Sequence, residues 1–102
     1  MNNYILDGHT PVVEDDILAW GKWSRTADRT VKKDDVGDYF VSTVFLGLDH
    51  AFGGGEPLLF ETMIFKKEDG KVNYRDVYCD RYSTWEEAEE GHKKALKFAK
   101  TL

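Results

Sequence analysis

The chain has 102 residues, and its 41% hydrophobic, 14% aromatic and 32% charged residues give a globular profile, long enough for one domain whose core needs no staple. A net charge of −5 argues against general nucleic-acid binding, whose affinity comes largely from neutralising phosphates. The single Cys79 has no intrachain disulfide partner, the start MNNYILDGHT lacks the basic and apolar regions of a signal peptide, and no apolar run approaches a membrane span of ~20 residues, so a cytoplasmic protein with no membrane partner is expected.

In chain order, Tyr4–Leu6 reads as a short strand that turns at Asp7-Gly8 and closes with Pro11–Val13. The triplet Glu14-Asp15-Asp16 then opens a helix, where carboxylates cap free N–H groups and face the positive end of the dipole. Ile17, Leu18, Trp20, Gly21, Trp23 and Ser24 give it an apolar side, with its end near Arg25 or Thr26. Asp28–Val36 reads as a charged edge strand or loop, and Asp34–Asp38 as a turn. Tyr39–Leu48 is the strongest strand; being apolar on both parities, it is expected at the centre of the sheet with both faces covered. Leu58–Phe65 follows, then an Asp69-Gly70 hairpin turn and a last strand over Val72–Tyr82. Ser83 with Glu86, or Thr84 with Glu87, makes a capping box for a helix whose apolar stripe runs from Trp85 to Leu102. The expected fold class is α+β: an antiparallel meander of about four to five strands with an N-terminal and a C-terminal helix. Helices on one face would leave aromatic residues to line the other, a natural binding surface.

The polar residues set among apolar ones are the candidate functional groups. Asp49-His50 ends the central strand just before Phe52-Gly53-Gly54-Gly55-Glu56-Pro57. The three glycines allow close backbone approach, and their N–H groups can cradle an anion; a plain hairpin turn is the competing reading, because the loop leads into a strand with no Lys or Arg following. Glu61 interrupts an apolar strand and needs a partner, with Arg25, Arg29, Arg75, Arg81 and His92 available; a ligand-contacting role is the alternative. His92 lies on the helix stripe beside Gly91, either as a core histidine or in a polar constellation with Glu61 or Asp49. Trp20 and Trp23 share a helix side and precede Arg25 and Arg29; core packing is the first reading of the pair, and the alternative is that one of them forms an aromatic-cationic patch with Arg25. His9, His50 and His92 lack metal-site spacing and Cys79 has no motif around it, so no metal, cofactor or thiol nucleophile is expected.

The words STVFLGLDH (Ser42–His50), FGGGEPLLFETMIF (Phe52–Phe65) and RYSTWEEAEEGH (Arg81–His92), with Trp20 and Trp23 as a further echo, resemble a family of small proteins of this size encoded by bacteriophages and bacteria. The match covers nearly the whole chain. It brings no activity or catalytic residue with it; by association alone it implies a host-takeover or counter-defence factor. Three functions follow. A non-enzymatic binder would hold a small anionic, nucleotide-like ligand with Trp20, Trp23, Arg25, Arg29, Asp49, His50, Gly53, Gly54, Gly55, Glu61 and His92 as the candidate contacts. A protein-interaction inhibitor would block a host protein through exposed aromatic and acidic patches. A small hydrolase would need Asp49, His50, Glu61 and His92 to converge. Missing motifs favour a binder over an enzyme, and an open sheet edge or face makes a homodimer plausible.

Overall fold

The turn signals punctuate the chain much as their chemistry demands. At Asp69-Gly70 both residues have positive φ, 54° and 75°, the backbone of a type I′ hairpin, and Glu68 pairs with Lys71 across it. The computed structural model describes residues 2–51 and 53–102. Within them the chain forms β1 (Tyr4–Asp7), β2 (Thr10–Val13), α1 (Ile17–Thr26), β3 (Thr30–Val36), β4 (Tyr39–Phe45), β5 (Phe60–Glu68), β6 (Lys71–Tyr82) and α2 (Trp85–Ala99). The fold is α+β. The last four strands make an antiparallel meander in the order β3-β4-β5-β6, and β1 and β2 form a separate hairpin.

Both helix starts are set by side-chain caps. Asp16 Oδ1 accepts the Leu18 and Ala19 N–H groups at 3.0 and 3.3 Å to open α1. Thr84 and Glu87 form a reciprocal capping box at α2, an arrangement in which losing the cap costs about 1 kcal/mol. The expected stripe of α2 is buried through Ala88, Gly91, His92, Ala95 and Ala99, and the helix ends there rather than running on to Leu102. In α1 the apolar side is weaker than its sequence implies: no residue is fully buried, and Ile17 and Leu18 stand 59% and 82% exposed.

Other boundaries shift for physical reasons. The N-terminal strand joins its own hairpin instead of the main sheet, held to it by an Asn3–Leu48 bridge and by Tyr4 N–H donating to Gly47 O at 2.8 Å. Asp34–Val36 belongs to β3, and the turn shrinks to Gly37-Asp38, because Asp34 and Asp35 are drawn into contacts with His92 and Lys67. β4 stops at Phe45 instead of Leu48. Gly47 (φ +78°) diverts the chain there, and a Cβ on it would lie 3.3 Å from both Trp20 Nε1 and Tyr4 O. β5 begins at Phe60 and runs to Glu68.

Strand parity divides the sheet into two unlike faces. Val41, Thr43 and Phe45 of β4 and Phe60, Thr62 and Ile64 of β5 point at α2 and are fully buried. Phe45, Leu59, Phe60 and Ala88 form a core with Tyr4, Leu6, Trp23, Val31, Tyr82 and Trp85 packed around it, so α1 and the β1–β2 hairpin lie on the α2 side too. His9 stacks on Trp85 with ring centroids 3.8 Å apart, pinning the hairpin to the start of α2. The opposite face, with Phe40, Ser42, Val44, Met63 and Phe65 only half-buried, carries no helix, so β4 is not covered on both sides as its composition implied. Among the described residues no helix is long and apolar enough to cross a membrane.

Candidate functional site

Where α1 ends, the chain must turn to enter β3, and that turn builds a cleft. Ala27 N–H closes the helix on Trp23 O, and Asp28 Oδ1 accepts the Thr30 N–H at 2.9 Å to start the strand. Phe45 N–H then donates to Arg29 O at 2.8 Å, fixing the turn against the end of β4. The resulting cleft of about 490 Å³ is lined by Ser24, Arg25, Ala27, Asp28, Arg29, Thr30 and Lys33 on one side and Val44, Phe45 and Leu46 on the other. Its size falls within the range of small-molecule sites, roughly 300–1,000 Å³.

The charges of this cleft are unbalanced. Arg25, Arg29 and Lys33 enter no ion pair among the described residues. The lone carboxylate, Asp28, is committed to the backbone N–H and hydroxyl of Thr30, which hold its carboxyl below the usual range, with Lys33 adding to the effect. Three cations thus face one spoken-for anion in a protein of net charge −5. The general negative charge is screened beyond a Debye length of ~8 Å, whereas contacts inside a cleft are not, so the local excess decides what enters.

The other candidate residues are dispersed. Trp20 Nε1 donates to Tyr4 O at 3.0 Å, and Trp23 sits edge-on to Phe45 at 5.7 Å, so both indoles are engaged inside the fold and neither lines the cleft. Asp49 Oδ1 accepts the N–H groups of Ala51 and Leu58 at 2.8 and 3.0 Å, clamping the two ends of the Gly-rich loop. His50 N–H donates to Leu58 O at 3.0 Å in the same clamp. A Cβ on Gly53, Gly54 or Gly55 would meet nothing within 4 Å, and the loop lies apart from the cleft; Phe52 lies outside the described residues. Glu61 points to the open face, where Oε2 receives Arg81 Nε at 2.9 Å and the Cys79 thiol at 3.6 Å. Burial, then the Glu61 charge, pushes that thiol's pKa up, away from a reactive thiolate. Asp49, His50, Glu61 and His92 therefore do not form one site: Glu61 and His92 are on opposite faces of the sheet.

His92 has different company. Its Nε2 lies 2.7 Å from Asp34 Oδ2, its Nδ1 lies 2.6 Å from Thr43 Oγ1, and Thr43 Oγ1 lies 2.5 Å from Thr62 Oγ1. A carboxylate only accepts, so Nε2–H donates to Asp34, and Nδ1 with the Thr43 and Thr62 hydroxyls continues the line of hydrogen bonds. The carboxylate–imidazole–hydroxyl order is that of a nucleophilic triad. Thr43, however, is fully buried beneath α2, so the hydroxyl has no open side for a substrate. What the relay does is fasten α2 to β3, β4 and β5 through one saturated polar line.

At the far end of the same layer, Tyr82 Oη is sealed from solvent with no hydrogen-bond partner among the described residues. Burial pushes the phenol pKa up to about 12; the nearby Thr62 hydroxyl pulls the other way without completing a hydrogen bond. Tyr82→Phe is accordingly expected to leave stability at pH 7 unchanged or slightly raised, since it removes an unpaired buried hydroxyl. Above pH 10 the unfolded phenol ionises while the folded one stays protonated, so the unfolded state binds fewer protons and wild-type stability falls as the pH rises towards 12. Urea unfolding of both proteins across pH 8–12 checks this; a parallel loss in Tyr82→Phe would contradict it.

Lys33, Asp34, Thr43 and Thr62 are the residues that sequence reasoning missed. The two threonines carried a faint signal, as short hydroxyl side chains between apolar residues at the inward parity of β4 and β5. Comparisons of the chain with protein-family models, with curated proteins and with solved structures return no match.

Proposed function

We propose that the protein is a binder of a small anionic ligand, of the phosphorylated or nucleotide class, held in the cleft between the end of α1 and strands β3 and β4. The observation that carries this reading is the set of three cations, Arg25, Arg29 and Lys33, that enter no ion pair among the described residues, around one cleft of about 490 Å³. Arginines supply planar forked donors for phosphate oxygens, and a lysine adds a point charge. The Ser24 and Thr30 side chains add polar groups, and Val44 and Leu46 offer an apolar wall for a base or other flat moiety. Trp23 backs the wall through Phe45, which makes its fluorescence a reporter of occupancy without its touching the ligand. Sequestration needs no catalytic machinery, which suits the host-takeover or counter-defence setting implied by the phage-type resemblance.

Thermal unfolding with ATP or inorganic pyrophosphate tests the proposal. A ligand present at about a hundred times its Kd stabilises the folded state by ~2.7 kcal/mol, which raises the midpoint of a domain this size by about 10–20 °C. An unchanged midpoint with both probes at millimolar concentration counts against the reading.

A further inference from the structure

We propose that the uncovered face of the four-stranded sheet is a homodimer interface, on which a second copy of the chain packs sheet to sheet. A one-sided antiparallel sheet alternates apolar inward with polar outward residues. Here the outward positions of the two central strands are Phe40, Ser42, Val44, Glu61, Met63 and Phe65; Val44 belongs to the cleft, and Phe40, Met63 and Phe65, extended by Tyr74 stacked edge-on to Phe65 at 5.3 Å, make the face apolar. Among the described residues no helix packs on this face; Phe40, Met63 and Phe65 are half-buried and Tyr74 stands 78% exposed.

Charge identifies the occupant as a second copy. In the midst of this apolar surface Glu61 and Arg81 form one ion pair through Oε2 and Nε. Glu61 Oε1 and the Arg81 Nη groups make no hydrogen bond among the described residues. Under a two-fold axis near these strands, the spare guanidinium donors of one copy meet the spare carboxylate oxygen of the other, twice. An identical surface therefore satisfies this one, apolar to apolar and pair to pair, whereas a uniformly acidic or basic partner would leave a charge unmatched.

Area and edges agree. Four strands at ~4.8 Å spacing and seven residues at ~3.3 Å rise give roughly 450 Å² in projection, which corrugation by large side chains raises towards the ~600–1,000 Å² per partner of a stable interface. Pairing through the edges instead is disfavoured by Lys32 and Lys33 on β3, and by register irregularities beside Phe65 that break the ladder of β6.

Sedimentation equilibrium in the micromolar range tests the proposal. The wild type is expected to sediment as a dimer, and Met63→Lys and Phe40→Lys, which set like charges against each other across the axis, as folded monomers by far-UV circular dichroism. A monomeric wild type overturns the proposal, as does a dimer that persists in both variants. Should the variants not fold, isotope-filtered NMR on the wild-type dimer decides: contacts from the Met63 methyl to the other copy support the interface, and their absence overturns it. The ligand reading fails separately, because Met63 and Phe40 lie outside the cleft and a monomeric variant is still expected to gain stability with ATP.

Discussion

Replacing Gly91 with alanine is expected to destabilise the protein by about 2 kcal/mol and lower its melting temperature by about 10 °C. A Cβ at this position would lie 2.1 Å from Tyr82 Cζ, 2.2 Å from Oη and 2.4 Å from Cε1, far inside contact distance. Two effects oppose each other. Alanine in place of a mid-helix glycine gains roughly 1 kcal/mol of helix propensity, while overpacking costs ~1–3 kcal/mol and occasionally more. Steric conflict wins here, because relief requires either expelling a ring packed on the Phe45–Phe60 core or lifting α2 from the sheet. Adding Tyr82→Ala removes the clash, so the double variant should lose less than the sum of the singles. A Gly91→Ala protein as stable as the wild type in thermal and urea unfolding would refute this close approach of helix and strand.

The second large effect concerns the relay across the sheet. Thr43→Val preserves shape but leaves His92 Nδ1 and the Thr62 hydroxyl without their partner, both in a buried layer. At ~1–3 kcal/mol for each orphaned group, a loss of about 3 kcal/mol is expected. His92→Leu is expected to cost a similar amount, since it strips Thr43 of its hydrogen-bond partner and Asp34 of its donor. The double variant replaces both partners of the central bond with apolar groups of similar size, an exchange that is often nearly neutral, so the two losses should be well short of additive. Additive losses in urea unfolding would mean that Thr43 and His92 act independently.

How far the sequence led depends on the range of the interaction. Signals carried by neighbouring residues were legible: the capping box at Thr84–Glu87, the Asp69-Gly70 turn, the inward stripe of α2 and the apolar strands β4 and β5. Signals that arise from residues distant in sequence were not. Asp34 reads as a turn residue until His92, on another element, draws it into the edge strand. Tyr74 and Tyr78 share a parity and would share a face in a regular strand. Register shifts between them place Tyr74 against Phe65 on the open face and Tyr78 against Phe98 on the helix face. The cationic cleft was half visible: Arg25 and Arg29 stood out, but Lys33 joins them only because β3 begins at Thr30 and carries it alongside. Trp20 and Trp23 read first as core and only second as a stacking platform, and the Tyr4 carbonyl and the Phe45 ring give them internal partners.

The most direct measurement is calorimetric titration of ATP into the wild type and into the Arg25→Gln, Arg29→Gln double variant, at low and at physiological salt. Two charge-assisted contacts at ~1.5 kcal/mol each correspond to about a 100-fold change in Kd. The account predicts saturable one-site binding to the wild type, weakened by salt, and a loss of about that size in a variant that remains folded. Binding of equal strength in both proteins, or none to the wild type, would contradict it.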